Sequence, residues 1–169
     1  MSPKPPKGPK AAKRVPPSAL PSAPTRTPKR LSGVSLDGPN RDHHPLWRLS
    51  LLDLEYEGSW HWKVDAATIR TIVDLMHEME RLTWKEVFNQ IANSKKRGSA
   101  KHKFIPVESL VPEAQKRLVE LSLDDWDQLF RFRLGNMARL WGILVQEGEA
   151  RIFYPIWWDP EHMVCPSAE

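Results

Sequence analysis

The sequence predicts an α+β fold in which an α-helical hairpin and a third helix pack on one face of a mostly antiparallel sheet that ends in a three-strand meander. Three observations carry this expectation. Apolar residues recur at three- and four-residue steps, behind helix-capping residues, between positions 65 and 91. Apolar and polar residues alternate through the last third of the chain. The composition also changes near residue 46: all 15 aromatic side chains lie at or after Trp47, and 10 of the first 45 residues are apolar against 58 of the remaining 124. The expected organisation is a disordered, basic, proline-rich tail over 1–45 and a single α+β domain over 46–169.

Each element has its own signal. Residues 46–54 place Trp47, Leu49 and Leu51 on one side and Arg48 and Ser50 on the other, as a strand does. Asp65 is placed to cap a helix whose apolar residues are Ile69, Ile72, Val73, Met76 and Met79. Thr83 and Glu86 form a capping-box pair ahead of Trp84, Val87, Phe88 and Ile91, which predicts a second short helix. A short strand over 104–107 follows, and Pro112 suits the first position of a third helix reaching about Glu120. Strands over 129–134, 139–145 and 150–158 complete the meander, with Glu147-Gly148 turning the chain between the last two.

The charge of +4 belongs to the tail. Residues 1–30 carry eight basic residues, no acid and nine of the 16 prolines, whereas residues 46–169 hold 16 basic and 19 acidic residues. Proline blocks helix and ladder formation, so an extended cationic arm is expected, one that attracts polyanions without selecting among them. The alternatives are a solubilising tail or an extension from a start codon placed too early. No apolar run suits a secretory leader or a membrane span, which makes the cytoplasm the expected location and a membrane partner unexpected. Cys165, the lone cysteine, excludes an internal disulfide framework and a CxxC metal site; it reads as a small filler rather than a nucleophile. No glycine-rich phosphate loop and no HExxH occur, so neither a bound cofactor nor a metal is expected.

Three groups of residues are candidates for function. The eight tryptophans read mostly as core, but successive strand residues face opposite ways, so Trp157 or Trp158 should present an aromatic surface in a groove or interface. Asp159-Pro160-Glu161-His162 reads as a turn that brings Asp159 across from His162, where a carboxylate fixes an imidazole's tautomer and raises its pKa for proton transfer. The other reading of the same turn, and the favoured one, is an Asp159 that caps its own backbone beside a merely exposed His162. Arg139, expected two strands' reach away, could clamp a phosphate or an oxyanion, or pair with an acid. Lys95, Lys96, Arg97, Lys101, His102 and Lys103 form the dense basic stretch of the folded part, either a nucleic-acid contact or a solvated loop.

The ending Arg139-Leu140-Trp141-Gly142, Ile152-Phe153-Tyr154 and Trp157-Trp158-Asp159-Pro160-Glu161-His162, with Val164 and Pro166, resembles the close of a group of small, mostly uncharacterised bacterial proteins often found in mobile or defence-type gene neighbourhoods. Over about residues 65–166 the deeper pattern is similar to the RelE/ParE toxin family, in which a helical hairpin precedes a meander with an arginine on its middle strand and a terminal histidine. The resemblance implies a toxin of a toxin-antitoxin system: a RelE-like endoribonuclease of ribosome-bound mRNA that inhibits translation, or a gyrase poison, neutralised by an antitoxin protein. RelE-like cleavage activates the ribose 2′-hydroxyl and stabilises phosphate charge without a metal. On that pattern Arg139 stabilises the phosphate, His162 transfers the proton beside Asp159, Tyr154 is a further option, and Lys101, His102 and Lys103 contact the RNA backbone. Two other functions are compatible with the residues. One is a non-enzymatic protein-interaction module of a mobile element or defence system, suggested by the acidic domain and an exposed tryptophan. The other is a nucleic-acid-binding protein whose affinity resides in the arm.

Overall fold

A computed structural model describes residues 41–92 and 98–166. Residues 1–40 of the tail expected over 1–45, and the basic residues Lys95, Lys96 and Arg97, lie outside the described residues. In chain order the elements are β1 (Leu46–Trp47), α1 (Ala66–Glu80), α2 (Trp84–Asn89), β2 (Lys103–Pro106), a single 3-10 turn (Val107–Ser109), α3 (Pro112–Glu120), β3 (Gln128–Arg133), β4 (Arg139–Glu147) and β5 (Ala150–Asp159). One mixed sheet has the order β1-β5-β4-β3-β2; β1 runs parallel to β5 and the other pairings are antiparallel. Among the described residues, no helix is long and apolar enough to cross a membrane.

The helix starts follow from the capping residues. The Asp65 carboxylate accepts the Thr68 backbone N–H at 2.7 Å, satisfying one of the donors a helix leaves open at its first turn. At α2, Thr83 Oγ1 accepts from the Glu86 amide at 3.3 Å while Glu86 Oε2 accepts from the Thr83 amide at 2.7 Å, a complete capping box. Pro112 opens α3, where its missing N–H costs nothing. The fold begins ahead of residue 46: the backbone carbonyls of Arg41 and His43 accept from the Lys85 and Trp84 amides at 2.7 and 2.9 Å, and Pro45 is buried.

Two expectations are corrected. The helices do not share one face of the sheet. Ile72, Leu75 and Met79 of α1 and Trp84 and Val87 of α2 pack against Phe130, Phe132, Leu140, Leu144, Phe153 and Trp158. On the opposite face Ala114 and Leu118 of α3 pack against Leu129, Trp141, Ile143, Ile156 and Trp157. Because strand side chains alternate, a sheet covered on both sides buries nearly every residue of its central strands, which is the pattern of β3, β4 and β5. Second, the expected strand over 46–54 lasts only two residues. After Arg48 donates its amide to Phe153 O at 3.0 Å, the chain turns away, and Asp53 returns to the sheet by donating to Ile156 O at 3.0 Å.

That return is held by Asp53, which accepts two hydrogen bonds from Arg117 of α3, at 2.7 and 2.8 Å, and one from Trp157 Nε1 at 2.9 Å. These partners hold the Asp53 carboxyl below its ordinary pKa even though burial acts to raise it. A bulge where Trp141 and Gly142 of β4 face β5 gives β5 one extra residue: Trp141 pairs with Trp157 and Gly142 with Pro155. A Cβ on Gly142 would meet Tyr154 O at 2.2 Å and Pro155 Cα at 2.9 Å, so only glycine permits this approach.

Candidate functional site: a buried cationic cluster at one end of the sheet

The register of the sheet gathers basic residues on the α3 face, beyond the reach of α3 itself. Arg131 and Arg133 lie two and four residues after Leu129 and so share its face; Arg139, two before Trp141, does likewise. One rung of the sheet sets Lys103 opposite Arg131 and Arg131 opposite Trp141. The rung two residues away sets Arg133 opposite Arg139 and Arg139 opposite Asp159. Arg139 and Asp159 therefore sit directly across from one another on adjacent strands, closer than the two strands' reach expected.

The turn after β5 closes the cluster. Asp159 is fully buried and accepts hydrogen bonds from Trp141 Nε1 at 3.1 Å and from the Met163 and Val164 amides at 2.8 and 3.0 Å. The chain is pinned beyond it, since Val164 O accepts from the Val111 amide at 3.0 Å. His162 takes a positive φ of 61° at the turn, a left-handed conformation in which histidine is among the less penalised residues. Its Nδ1 is buried with no hydrogen-bond partner.

This arrangement corrects the expected carboxylate–imidazole pair. Asp159 caps its own turn and holds Trp141, so it has no hydrogen bond to His162 and orients the backbone rather than the ring. The His162 pKa is pushed down, to about 4, rather than raised: burial disfavours the imidazolium, and Arg139, Arg131, Arg133 and Lys103 add repulsion. The ring is therefore neutral at pH 7, a form that can accept a proton.

The two arginines of the inner positions are unusually placed. Arg131 is 8% exposed and Arg139 is 3% exposed. Arg139 donates from Nη1 to Ala138 O at 2.8 Å and from Nη2 to Asn136 O at 3.1 Å, but its Nε has no partner. Arg131 has neither Nε nor Nη1 satisfied. Burial and neighbouring arginines lower both pKa values, that of Arg139 to about 10; a guanidinium stays protonated in proteins at neutral pH. Around them the acting carboxylate is Asp159, and the cluster of Lys103, Arg131, Arg133 and Arg139 keeps a net positive charge.

The remaining candidates lie elsewhere or do other work. Tyr154 stands five residues before Asp159 on β5, roughly 15 Å away at the rise of a strand. There its hydroxyl bonds Glu147 and accepts from Arg48 Nη1 at 2.8 Å, so it does not join the cluster. His102 is buried on the other face, where Nε2 bonds Gln90 Oε1 at 3.0 Å and Nδ1 accepts the Arg133 amide at 3.1 Å. Its pKa is pushed down to about 3, chiefly by burial, and a buried neutral ring cannot contact RNA. Lys101 and Lys103 are half-buried, and of the two only Lys103 borders the cluster. Trp157 and Trp158 are both buried, one in each core, so neither forms an aromatic surface. Arg131 was missed by sequence reasoning, because alternation with Phe130 and Phe132 assigns it to solvent; the long apolar runs of β4 and β5 were the available sign that both faces are covered. The chain matches no protein-family model, no curated protein and no solved structure.

Proposed function

We propose that the chain is an RNA-cleaving enzyme of the toxin type that inhibits translation, with its active site at the cationic cluster. The observation that carries this reading is a neutral, unpartnered His162 imidazole held beside Arg139 and Arg131. In the proposed step His162 removes the proton of a ribose 2′-hydroxyl. The freed oxygen attacks the adjacent phosphorus, the bond to the 5′-oxygen breaks, and that oxygen takes a proton from water; the hydroxide so formed takes the proton back from His162, leaving a 2′,3′-cyclic phosphate, a 5′-hydroxyl end and the neutral imidazole. Arg139 holds the charge that grows on the phosphate oxygens, the role in which buried guanidiniums contribute most. Lys103 and Arg133 at the rim extend the positive field toward the RNA backbone. Asp159 is the positioning residue that fixes the turn on which His162 sits.

Induced expression in a bacterial host tests the reading, with His162→Ala and Arg139→Ala variants matched for protein level. Arrest of translation by the wild type and not by either folded variant supports it; harmless expression of the well-folded wild type overturns it. A second reading, a protein-interaction module or the antitoxin-facing side of the same protein, is favoured by one observation. Leu49, Ile69, Val73 and Met76 line an apolar groove of about 210 Å³ between α1 and the loop after β1, and Ile69 is 52% exposed. A stable complex with a co-encoded partner that Val73→Asp disrupts, without toxicity from the free chain, distinguishes this reading.

A further inference from the structure

We infer that Arg131 and Arg139 form a binding site for one tetrahedral oxyanion of the phosphate class, and that the bound anion stabilises the fold. Three independent features lead there. Both arginine residues are more than nine-tenths buried, and N–H groups on each lack an acceptor among the described residues. A buried charged donor without an acceptor is strongly unfavourable, and a bound ion is one partner that satisfies it. The register also sets Arg133 directly opposite Arg139. A cross-strand pair of like charge weakens a sheet, and an anion bound beside it offsets that repulsion. Finally, three of the roughly four acceptor sites of the carboxylate within the cluster are taken by Trp141 Nε1 and two backbone amides, and the unsatisfied arginine N–H groups are not bonded to it.

Phosphate matches the chemistry of the unsatisfied donors. Its oxygens accept several N–H donors at once, and the planar guanidinium fork matches that geometry. The inference deepens the strand-cleavage reading by adding Arg131 to the phosphate-holding groups, but its energetic half does not depend on catalysis. Without the anion, the Arg131 charge should oppose folding; with it, the same charge should support folding.

The test uses the full chain in thermal unfolding, in sodium phosphate against sodium chloride of equal ionic strength, with Arg131→Met, Arg139→Met and the charge-retaining Arg131→Lys. The expected result is a saturable phosphate-dependent rise in Tm for the wild type, lost in Arg131→Met and Arg139→Met and reduced in Arg131→Lys. In chloride, Arg131→Met should unfold at or above the wild-type temperature, and calorimetric titration should show phosphate affinity about 10–100-fold weaker in that variant. A wild type indifferent to phosphate, a response unchanged by Arg131→Met, or a marked loss of stability of that variant in chloride would each overturn the inference. The two readings separate cleanly: phosphate binding without RNA cleavage retains the site and removes the reaction, and cleavage without a phosphate response does the reverse.

Discussion

Replacing Asp159 with asparagine isolates the carboxylate on which the cluster depends. The side chain is fully buried and accepts from Trp141 Nε1, the Met163 amide and the Val164 amide. Asparagine keeps one carbonyl acceptor and places an amide donor where an acceptor stood, so at least one of these donors loses its partner. A hydrogen bond to a charged group contributes about 1.5–3 kcal/mol, and removing the counter-charge from buried Arg131 and Arg139 adds to the loss. Asp159 makes no direct ion pair with either arginine among the described residues, so we expect Asp159→Asn to cost about 2–3 kcal/mol, the range of its lost charged hydrogen bonds. For a domain whose whole stability is about 5–15 kcal/mol this is a large fraction. Urea unfolding followed by far-UV circular dichroism measures it as a lower midpoint with an unchanged slope. The same substitution in an Arg139→Met background should cost less by at least about 1 kcal/mol, because the carboxylate then has less positive charge to balance. A loss under about 1 kcal/mol in the single variant, or strict additivity in the double, would refute the view that Asp159 stabilises the cluster by charge.

Further expectations concern pH, packing and capping. His102 is neutral in the fold and its pKa is depressed to about 3 from an ordinary 6.5, so the stability tied to its neutral form is complete above pH 6.5 and is lost as pH falls toward the folded value. The stability of the wild type should therefore decline below about pH 6.5, and His102→Gln should flatten that decline between pH 6.5 and 5, measured by urea midpoints across the range. Gly142→Ala should destabilise by about 3 kcal/mol, the upper end for overpacking, because its Cβ meets backbone atoms of Tyr154 and Pro155 as well as the fully buried Phe153 ring; a change below about 1 kcal/mol in chemical unfolding contradicts this. Thr83→Ala should lower stability by about 1 kcal/mol through loss of the capping box at α2, read from the same unfolding curves.

Local signals in the sequence carry the helices, and long-range pairing carries the site. Asp65, the Thr83–Glu86 pair and Pro112 mark the helix starts because capping is decided within four residues. The meander is legible for a similar reason: Glu147-Gly148 and the flanking alternation act over short separations. The short β1 is different, since its partner Ile152 lies 106 residues from Leu46 along the chain, and no local pattern tells a two-residue edge strand from a longer one. Trp157 and Trp158 show the cost of assuming a sheet with one wet face: alternation correctly sends them to opposite sides, but α1 with α2 covers one side and α3 the other. The same assumption placed Arg131 in solvent. Arg139 and His162 were nameable from residue type and position, and an Asp159 that caps its own turn was one of the two readings of Asp159-Pro160; its further bond from the Trp141 indole depends on the register of β4 against β5.

The central claim is that His162 and the buried arginines cleave RNA through the ribose hydroxyl. The most direct measurement is incubation of the purified full chain with an end-labelled RNA and with copies carrying a single 2′-deoxy substitution at each linkage the enzyme cuts. The account predicts cleavage of the all-ribose strand to a cyclic phosphate end, loss of each cut at its substituted linkage, and no cleavage by folded His162→Ala. Cleavage that persists at the deoxy linkages, or in the His162 variant at the wild-type rate, would contradict it.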